Sequence, residues 1–509
     1  MKKVLKVLMV ALALLLVLGT GAFLLLKSQL PEQEEYISYE KTKQIQQIDA
    51  QLKEMDLEKI RAKAPLIMEK SIDEIQKAVT DGKLTYEELT AFYLDRIETY
   101  DTGEKGINAV AEINPKAIEE ARACDSSTGK AEGIKGIPVL IKDNVNTKDM
   151  PTSGGTYALK DFLPSKNAEL VEELIKSDAV ILGKSNLSEL ANFMDTKMPS
   201  GYSSKAGQTH NPFDPITLSP LGSSSGSGAA VAANFCAVAI GTETTGSIIA
   251  PSAIHSLVGL KPTKNSISAK GVIPLSSTMD TVGTMAKSVK DVAVLYNAAI
   301  SDKTKSIELK FDADYLQGKR IGVVGDDEEQ TLTKTLQGCG AETVIVTLAE
   351  KGIDSEYIIN QDFKTDLNQY LITYSAPVKS LAELIAFNEK DMGRRAKYGQ
   401  TLIEKANKVT EFDKAKVSEI VREAQSRIDL LLSNNRLDAI VFFDNNGVLL
   451  PAVAGYPELT VPVGKSEIGA PRGATFVSGK DEDEKLTYIA YSFEQKTMAR
   501  LIPNKYLKQ

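Results

Sequence analysis

The pattern of apolar and polar residues changes character three times along the chain. It opens on an uncharged apolar run from Val7 to Leu26, with Lys2, Lys3 and Lys6 ahead of it and Lys27 behind. A run of that length suffices to cross a bilayer as a helix. From 28 to 70 the residues are mostly Gln, Glu and Lys with scattered Leu and Ile, which predicts a polar helical or flexible spacer. At Ser71 the periodicity tightens. Ser71–Glu74 and Thr85–Glu88 both fit the capping box that satisfies the free N–H groups of a helix start, with Gly82 between them where a helix end needs positive φ. Helices are expected over 72–80 and 87–100.

Beyond these helices, short continuous apolar runs alternate with amphipathic segments. Val139, Leu140 and Ile141 follow a turn signal and suit a strand buried on both faces, carrying Lys142 to the edge of the core. A helix is predicted over 168–176, a strand over 179–183 and a helix starting at 188–193. Further helices are predicted over 288–299 and 490–501, and strands over 320–324, 343–347, 439–443 and 459–463. Segments 271–274 and 279–283 read as loops, and 301–430 mainly as long charged helices. This alternation predicts α/β architecture with a parallel or mixed sheet. No repeat or Pro/Gly-rich linker divides the body, so a single large domain over 71–509 is expected.

Composition narrows the function. A net charge of −8 argues against a nucleic-acid binder. Cys124, Cys236 and Cys339 are too few and scattered for a disulfide framework or zinc site, and no metal or other cofactor is expected. The lysines ahead of Val7–Leu26 favour export of the downstream chain, leaving the catalytic part outside the cytoplasm. Residues 1–27 are read as an uncleaved signal-anchor, with a cleaved signal peptide and a secreted body as the competing reading. Only His210 and His255 exist in the chain, so an enzyme built on this sequence has little histidine for acid–base work.

The chemistry concentrates in Leu221–Thr263, where two clusters of Gly, Ser and Thr flank an Ala-rich apolar segment. Such clusters suggest two tight turns brought to one place. Gly222-Ser-Ser-Ser-Gly226 satisfies the turn that exposes a nucleophilic Ser224 in α/β-hydrolases, but the late histidine of that scheme is missing after His255. A phosphate-cradling loop fails because no Lys-Ser or Lys-Thr follows the glycines. A flexible linker does not suit the ordered apolar segment directly behind. Serine chemistry without histidine remains, and a buried lysine of lowered pKa can serve as its base. Lys142 has the fitting setting.

These segments resemble the amidase signature family, marked by a Gly/Ser-rich cluster, an Ala-rich helix and then G-T-[DE]-x-x-G-S-I. The likeness covers about 71–501, through GIPVLIKDN at 136–144, GKSNLSEL at 183–190, GQTHNP at 207–212, GVIPLS at 271–276 and DTVG at 280–283. It implies a central mixed, twisted β-sheet covered by helices on both faces. It also implies a Ser–Ser–Lys triad with Ser247 as nucleophile, Ser223 as proton relay after a cis peptide bond, and Lys142 as base. The oxyanion would be held by main-chain N–H groups of Thr244, Thr245, Gly246 and Ser247. Leu221, Ser225, Thr245, Ile249 and Thr284 depart from common family residues and alter the pocket, not the triad. The segment 451–462 resembles the branch containing bacterial peptide amidases, and His255 reads as a packed core residue. The resulting expectation is an exported, membrane-tethered amidase acting on a small-molecule or peptide amide. Its rivals are a tRNA-dependent amidotransferase subunit working with partner subunits, and a surface binding protein that keeps the fold.

Overall fold

The computed structural model describes residues 35–39, 41–327 and 330–507. The apolar run 7–26, with its anchor or signal reading, lies outside them. Among the described residues no helix is long and apolar enough to cross a membrane.

Thirteen strands occur among the described residues: β1 (Val110–Ile113), β2 (Pro138–Lys142), β3 (Val180–Ser185), β4 (Tyr202–Ser203), β5 (Gly207–Gln208), β6 (Val238–Glu243), β7 (Val258–Lys261), β8 (Thr281–Ala286), β9 (Arg320–Val324), β10 (Glu342–Val346), β11 (Ala439–Phe443), β12 (Glu458–Lys465) and β13 (Pro471–Val477). Eleven form one mixed sheet in the order β1-β3-β2-β6-β8-β7-β12-β13-β11-β9-β10, and β4 and β5 make a separate hairpin. The neighbours of β2, namely β3 and β6, run parallel to it, whereas β8 runs antiparallel to both β6 and β7. Strands buried on both faces need apolar residues throughout, and β2, β3, β6, β7, β8 and β11 are buried along their whole length.

Both predicted capping boxes form, at Ser71/Glu74 and Thr85/Glu88, and they start helices Ile72–Thr80 and Tyr86–Tyr100. Gly82 has φ of +69°, the left-handed turn its position required. The Ala-rich segment is a short helix, Ser225–Ala232, followed by strand β6.

Several expectations need correction. The spacer read over 28–70 belongs to the body from residue 41 onward. Ile48, Leu52, Ile60 and Ile67 of this region are buried in the main core. Helix Lys41–Leu52 lies along edge strand β1. Lys41 Nζ donates to the Val110 carbonyl at 2.7 Å, Gln44 donates to the Ala111 carbonyl, and Gln51 donates to that of Asn114 at 3.0 Å. These donors cover carbonyls that an open edge would present to another chain.

The helix predicted from 188 is irregular, with Leu190 and Ala191 at φ of 47° and 56°. Leu190 turns its N–H to the Gly154 carbonyl at 2.8 Å, so a tertiary bond overrides local propensity. Residues from 281, read as loop, form β8. Gly283 permits that pairing, because a Cβ there would stand 2.1 Å from the Leu260 carbonyl oxygen. The C-terminal helix runs over Asp483–Thr497 rather than 490–501. The Asp483 carboxylate anchors its start by accepting from Thr263 N–H at 2.7 Å, and Met498 ends it at φ of 45°. His255 is a fully buried core residue, its Nδ1 2.6 Å from the Pro251 carbonyl, and burial pushes its imidazole down to about 4.

Residues 355–407 supply helices Ser355–Thr373, Leu381–Glu389 and Thr401–Asn407, which share a core with Leu190, Phe193, Met194, Ile273 and Leu275. On helix Ser355–Thr373, Asp362 accepts from Ser276 Oγ and Thr278 N–H, and Asp366 accepts from Ser277 N–H at 2.6 Å. The charged region that carried least information in the sequence therefore roofs the segment 273–278.

Candidate active site

Three β-strand ends converge at the carboxyl edge of the sheet's centre. β2 delivers Lys142, and its parallel neighbour β6 delivers Thr242 and Glu243. β8, antiparallel to β6, sets Thr281 opposite Glu243 and so places Asp280 beside the same spot. The Gly/Ser cluster enters from the side, opening helix Ser225–Ala232. At Gly226 a Cβ would stand 2.3 Å from the Ala109 carbonyl oxygen and 2.4 Å from that of Asn186, so only glycine lets this turn approach so closely. The peptide bond between Gly222 and Ser223 is cis.

The two small-residue clusters do meet. The N–H of Ser224 donates to the Ser247 carbonyl at 3.1 Å, tying one turn to the other. Lys142 Nζ lies 2.8 Å from Ser223 Oγ, 2.9 Å from Ser224 Oγ, 2.9 Å from Thr242 Oγ1 and 3.0 Å from the Thr242 carbonyl. Among the described residues no carboxylate bonds this amine directly, and its side chain is fully buried. Burial pushes Lys142 down to about 7, against an opposing pull from Asp280 and Glu243. A lysine so placed exists in good part as the neutral amine near neutral pH.

Ser247 differs from its partners. Ser223 and Ser224 are 0% exposed and bonded, whereas Ser247 is 7% exposed and its hydroxyl makes no hydrogen bond among the described residues. Its turn is organised by Glu243. One oxygen of that carboxylate accepts from Gly246 N–H at 2.8 Å, and the other from Ile248 N–H at 2.6 Å and Ile249 N–H at 3.0 Å. Of the main-chain groups expected to face an oxyanion, Gly246 N–H is thus already engaged. The Thr244 hydroxyl donates to Asp280 at 2.6 Å, and the buried Thr245 hydroxyl has no partner among the described residues.

Four contributors escaped the sequence reading: Thr242, Glu243, Asn144 and Asp280. Asn144 Nδ2 donates to Thr242 Oγ1 at 3.0 Å, orienting the hydroxyl that also meets Lys142. Asp280 accepts from Leu275 and Ser276 N–H at 2.7 and 3.0 Å, and burial raises it to about 6. Each sits in a segment recognisable by motif, KDN, GTE or DTVG, yet a motif does not say which of its polar residues turns inward. A cleft beside the lysine is lined by Asn144, Thr242, Thr244, Ile273, Leu275 and Asp280. Directly behind it lies a buried ionic network. Asp143 meets Lys184 at 3.3 Å and Lys205 at 3.0 Å, and Lys205 also meets Glu112 at 3.0 Å. Burial alone would raise the Asp143 carboxyl, but Lys205, Lys184 and Ser153 hold it below its ordinary range. The network keeps Asp143 occupied and away from Lys142. Among the described residues no group of His, Cys, Asp and Glu side chains is arranged to hold a metal ion.

The arrangement offers one hydroxyl held against an amine that can be neutral and a second, unengaged hydroxyl on the adjoining turn, which is the equipment of acyl transfer. Comparison with known proteins agrees in kind. The family model described as Amidase matches residues 88–442. A probable amidase of Arabidopsis thaliana is 33% identical, covering 86% of this chain and 92% of its own length. Among solved structures, an amidase family protein from Bacillus anthracis str. Ames is 42% identical with a TM-score of 0.89, covering 93% of this chain and 100% of that one. The native peptide amidase from Stenotrophomonas maltophilia is 37% identical with a TM-score of 0.80, covering 86% of this chain and 98% of that one.

Proposed function

The chain belongs to the amidase family and is an amide-hydrolysing enzyme; on that premise we propose that it works through a seryl acyl-enzyme, with Ser247 as nucleophile, Ser223 as relay and Lys142 as base. The observation that carries this reading is the 2.8 Å approach of Lys142 Nζ to Ser223 Oγ in a site that lowers the lysine to about 7. Ser247 Oγ attacks the amide carbonyl carbon while its proton passes to Ser223 Oγ, whose own proton passes to Lys142 Nζ. The developing oxyanion is met by main-chain N–H groups of Thr244, Thr245 and Ser247, since that of Gly246 is held by Glu243, each such donor contributing roughly 3 kcal/mol. The C–N bond then breaks, Ser223 protonates the leaving amine and recovers a proton from Lys142. Water attacks the resulting ester by the same relay, releasing the acid and restoring Ser247.

For the substrate we infer a peptide or comparable linear carboxamide. The likeness to a protein named a peptide amidase supports this. We further propose that residues 7–26 tether the enzyme to a membrane with its catalytic body exported, supported by the lysines ahead of the apolar run. Detection of the full-length chain in carbonate-washed membranes, and its digestion by protease added outside intact cells, would support the tether; a soluble cytosolic chain would reject it.

The test of the chemistry is labelling by a fluorophosphonate probe together with ammonia release from a panel of peptide, fatty and aryl amides. The expected result is a label on Ser247, lost in Ser247→Ala, with turnover of peptide amides. Labelling that survives Ser247→Ala rejects the nucleophile. A wild type that neither labels nor turns over any amide, yet binds, favours a binding module. Release of ammonia from glutamine only when partner subunits are added favours an amidotransferase subunit.

A further inference from the structure

The carboxylate that organises the Ser247 turn is itself faced by a second buried carboxyl group. Glu458 is the first residue of β12, stands opposite Lys261 of β7 and Val477 of β13, and is 0% exposed. Neither of its oxygens finds a hydrogen-bond donor among the described residues. Lys261, its cross-strand neighbour, spends its ammonium on the Tyr456 carbonyl. The Glu458 carboxyl lies within hydrogen-bonding reach of the Glu243 carboxyl, which is 1% exposed and accepts three main-chain N–H groups from residues 246, 248 and 249.

Two buried carboxylates in contact cannot both stay ionised. Glu243 already accepts three main-chain N–H groups, whereas an ionised Glu458 would be a buried charge without a donor. The proton therefore resides on Glu458, the one group in the pair with nothing else to accept. We propose that Glu458 is a positioning residue: held neutral, it donates its carboxyl proton to Glu243 and so fixes the turn that carries Ser247. Burial and the neighbouring Glu243 charge both push Glu458 well above the ordinary carboxyl range, and Lys261 opposes them without reversing the direction. The bond gives Glu243 a fourth donor, from a strand at the far side of β8 and β7, and so ties the catalytic turn to the sheet. The Glu243 charge kept in place by this arrangement is also one of the two that oppose the lowering of Lys142. This inference rests on Ser247 being the nucleophile.

The experiment compares Glu458→Gln, which keeps a donor toward Glu243 without charge, with Glu458→Leu, which keeps volume and loses the donor. Glu458→Gln should keep wild-type kcat/KM and labelling rate. Glu458→Leu, folded by circular dichroism, should lose on the order of a hundredfold in kcat with KM little changed, because a small displacement of the nucleophile has that effect. In parallel, the infrared spectrum of the wild type at neutral pH should contain a protonated-carboxyl band that Glu458→Gln removes. Equal loss in both variants, equal retention in both, or a band indifferent to Glu458→Gln would overturn the proposal. If Glu458→Leu does not fold, the infrared difference still decides. Absence of Ser247 labelling in the wild type would instead reject the nucleophile assignment and leave the infrared result standing on its own.

Discussion

Lys142 Nζ and Ser223 Oγ lie 2.8 Å apart in a fully buried site, the amine bonded to three hydroxyls and a carbonyl and, among the described residues, to no carboxylate. Burial sets the lysine at about 7. With the neutral amine as the proposed base, kcat/KM should rise with pH through about 7 and level off above it. Lys142→Ala should lose on the order of a hundredfold or more at neutral pH and much less at strongly alkaline pH, where hydroxide takes the proton. An equal loss at both pH values, measured by ammonia release, would mark the lysine as structural.

Asp280 offers a way to move that pH profile without touching the amine. Its charge opposes the lowering of Lys142, so Asp280→Asn should lower the lysine further and shift the acid limb of kcat/KM to lower pH. The Asn keeps an oxygen for Leu275 and Ser276 N–H and turns its amide NH2 to the Thr244 hydroxyl, which then accepts instead of donating, so the charge effect is separated from a collapse of the turn. A limb that stays put or moves up would contradict the electrostatic role.

Ser223 and Ser224 present their hydroxyls to Lys142 at nearly equal distances, 2.8 and 2.9 Å. They should nonetheless behave differently. Ser224 Oγ also donates to the Thr242 carbonyl and accepts its N–H, so Ser224→Ala should mainly reduce stability, by about 1–3 kcal/mol in chemical denaturation. Ser223→Ala should remove most of kcat while leaving the melting temperature nearly unchanged. Reversed behaviour would make Ser224 the relay.

Gly226→Ala should be among the most damaging single changes in the protein. The added methyl would meet two main-chain carbonyl oxygens, of Ala109 and Asn186, at 2.3 and 2.4 Å. Backbone cannot swing aside as a side chain can, so a loss of roughly 3 kcal/mol or more is expected in denaturant melts. A near-neutral change would mean that the turn is slack.

Removal of residues 1–56 should destabilise the body rather than merely shorten a tether. It exposes apolar surface that Ile48 and Leu52 cover and uncovers the carbonyls of β1. A lowered melting temperature and increased association are expected in calorimetry and size-exclusion chromatography. A truncated chain as stable as the full one would return this region to the role of a spacer.

Sequence alone determined whatever depends on neighbours along the chain. The capping boxes at Ser71 and Thr85, the left-handed Gly82, the buried run ending at Lys142 and strands such as 320–324 and 439–443 follow from side-chain chemistry within one or two turns, and all appear where expected. The scarcity of histidine pointed to Lys142, and the resemblance to the amidase signature family implied Ser223 and Ser247, because both signals are carried by composition and local motif. Features that need contacts between distant segments were decided only by the fold. β8 read as a loop because its strand character comes from pairing with β6 and β7 at once. Leu190 breaks a helical pattern because Gly154, 36 residues earlier, takes its N–H. Helix Lys41–Leu52 looked like a spacer because the β1 carbonyls that its polar side chains serve lie some 60 residues on. In the site itself, burial rather than sequence lowers Lys142, and Asp280, Thr242 and Glu458 became visible only once three strand ends and two turns were folded onto one point. An amine or a carboxyl carries no record in the sequence of how much water it will lose or which charge it will face, and those two quantities set its chemistry.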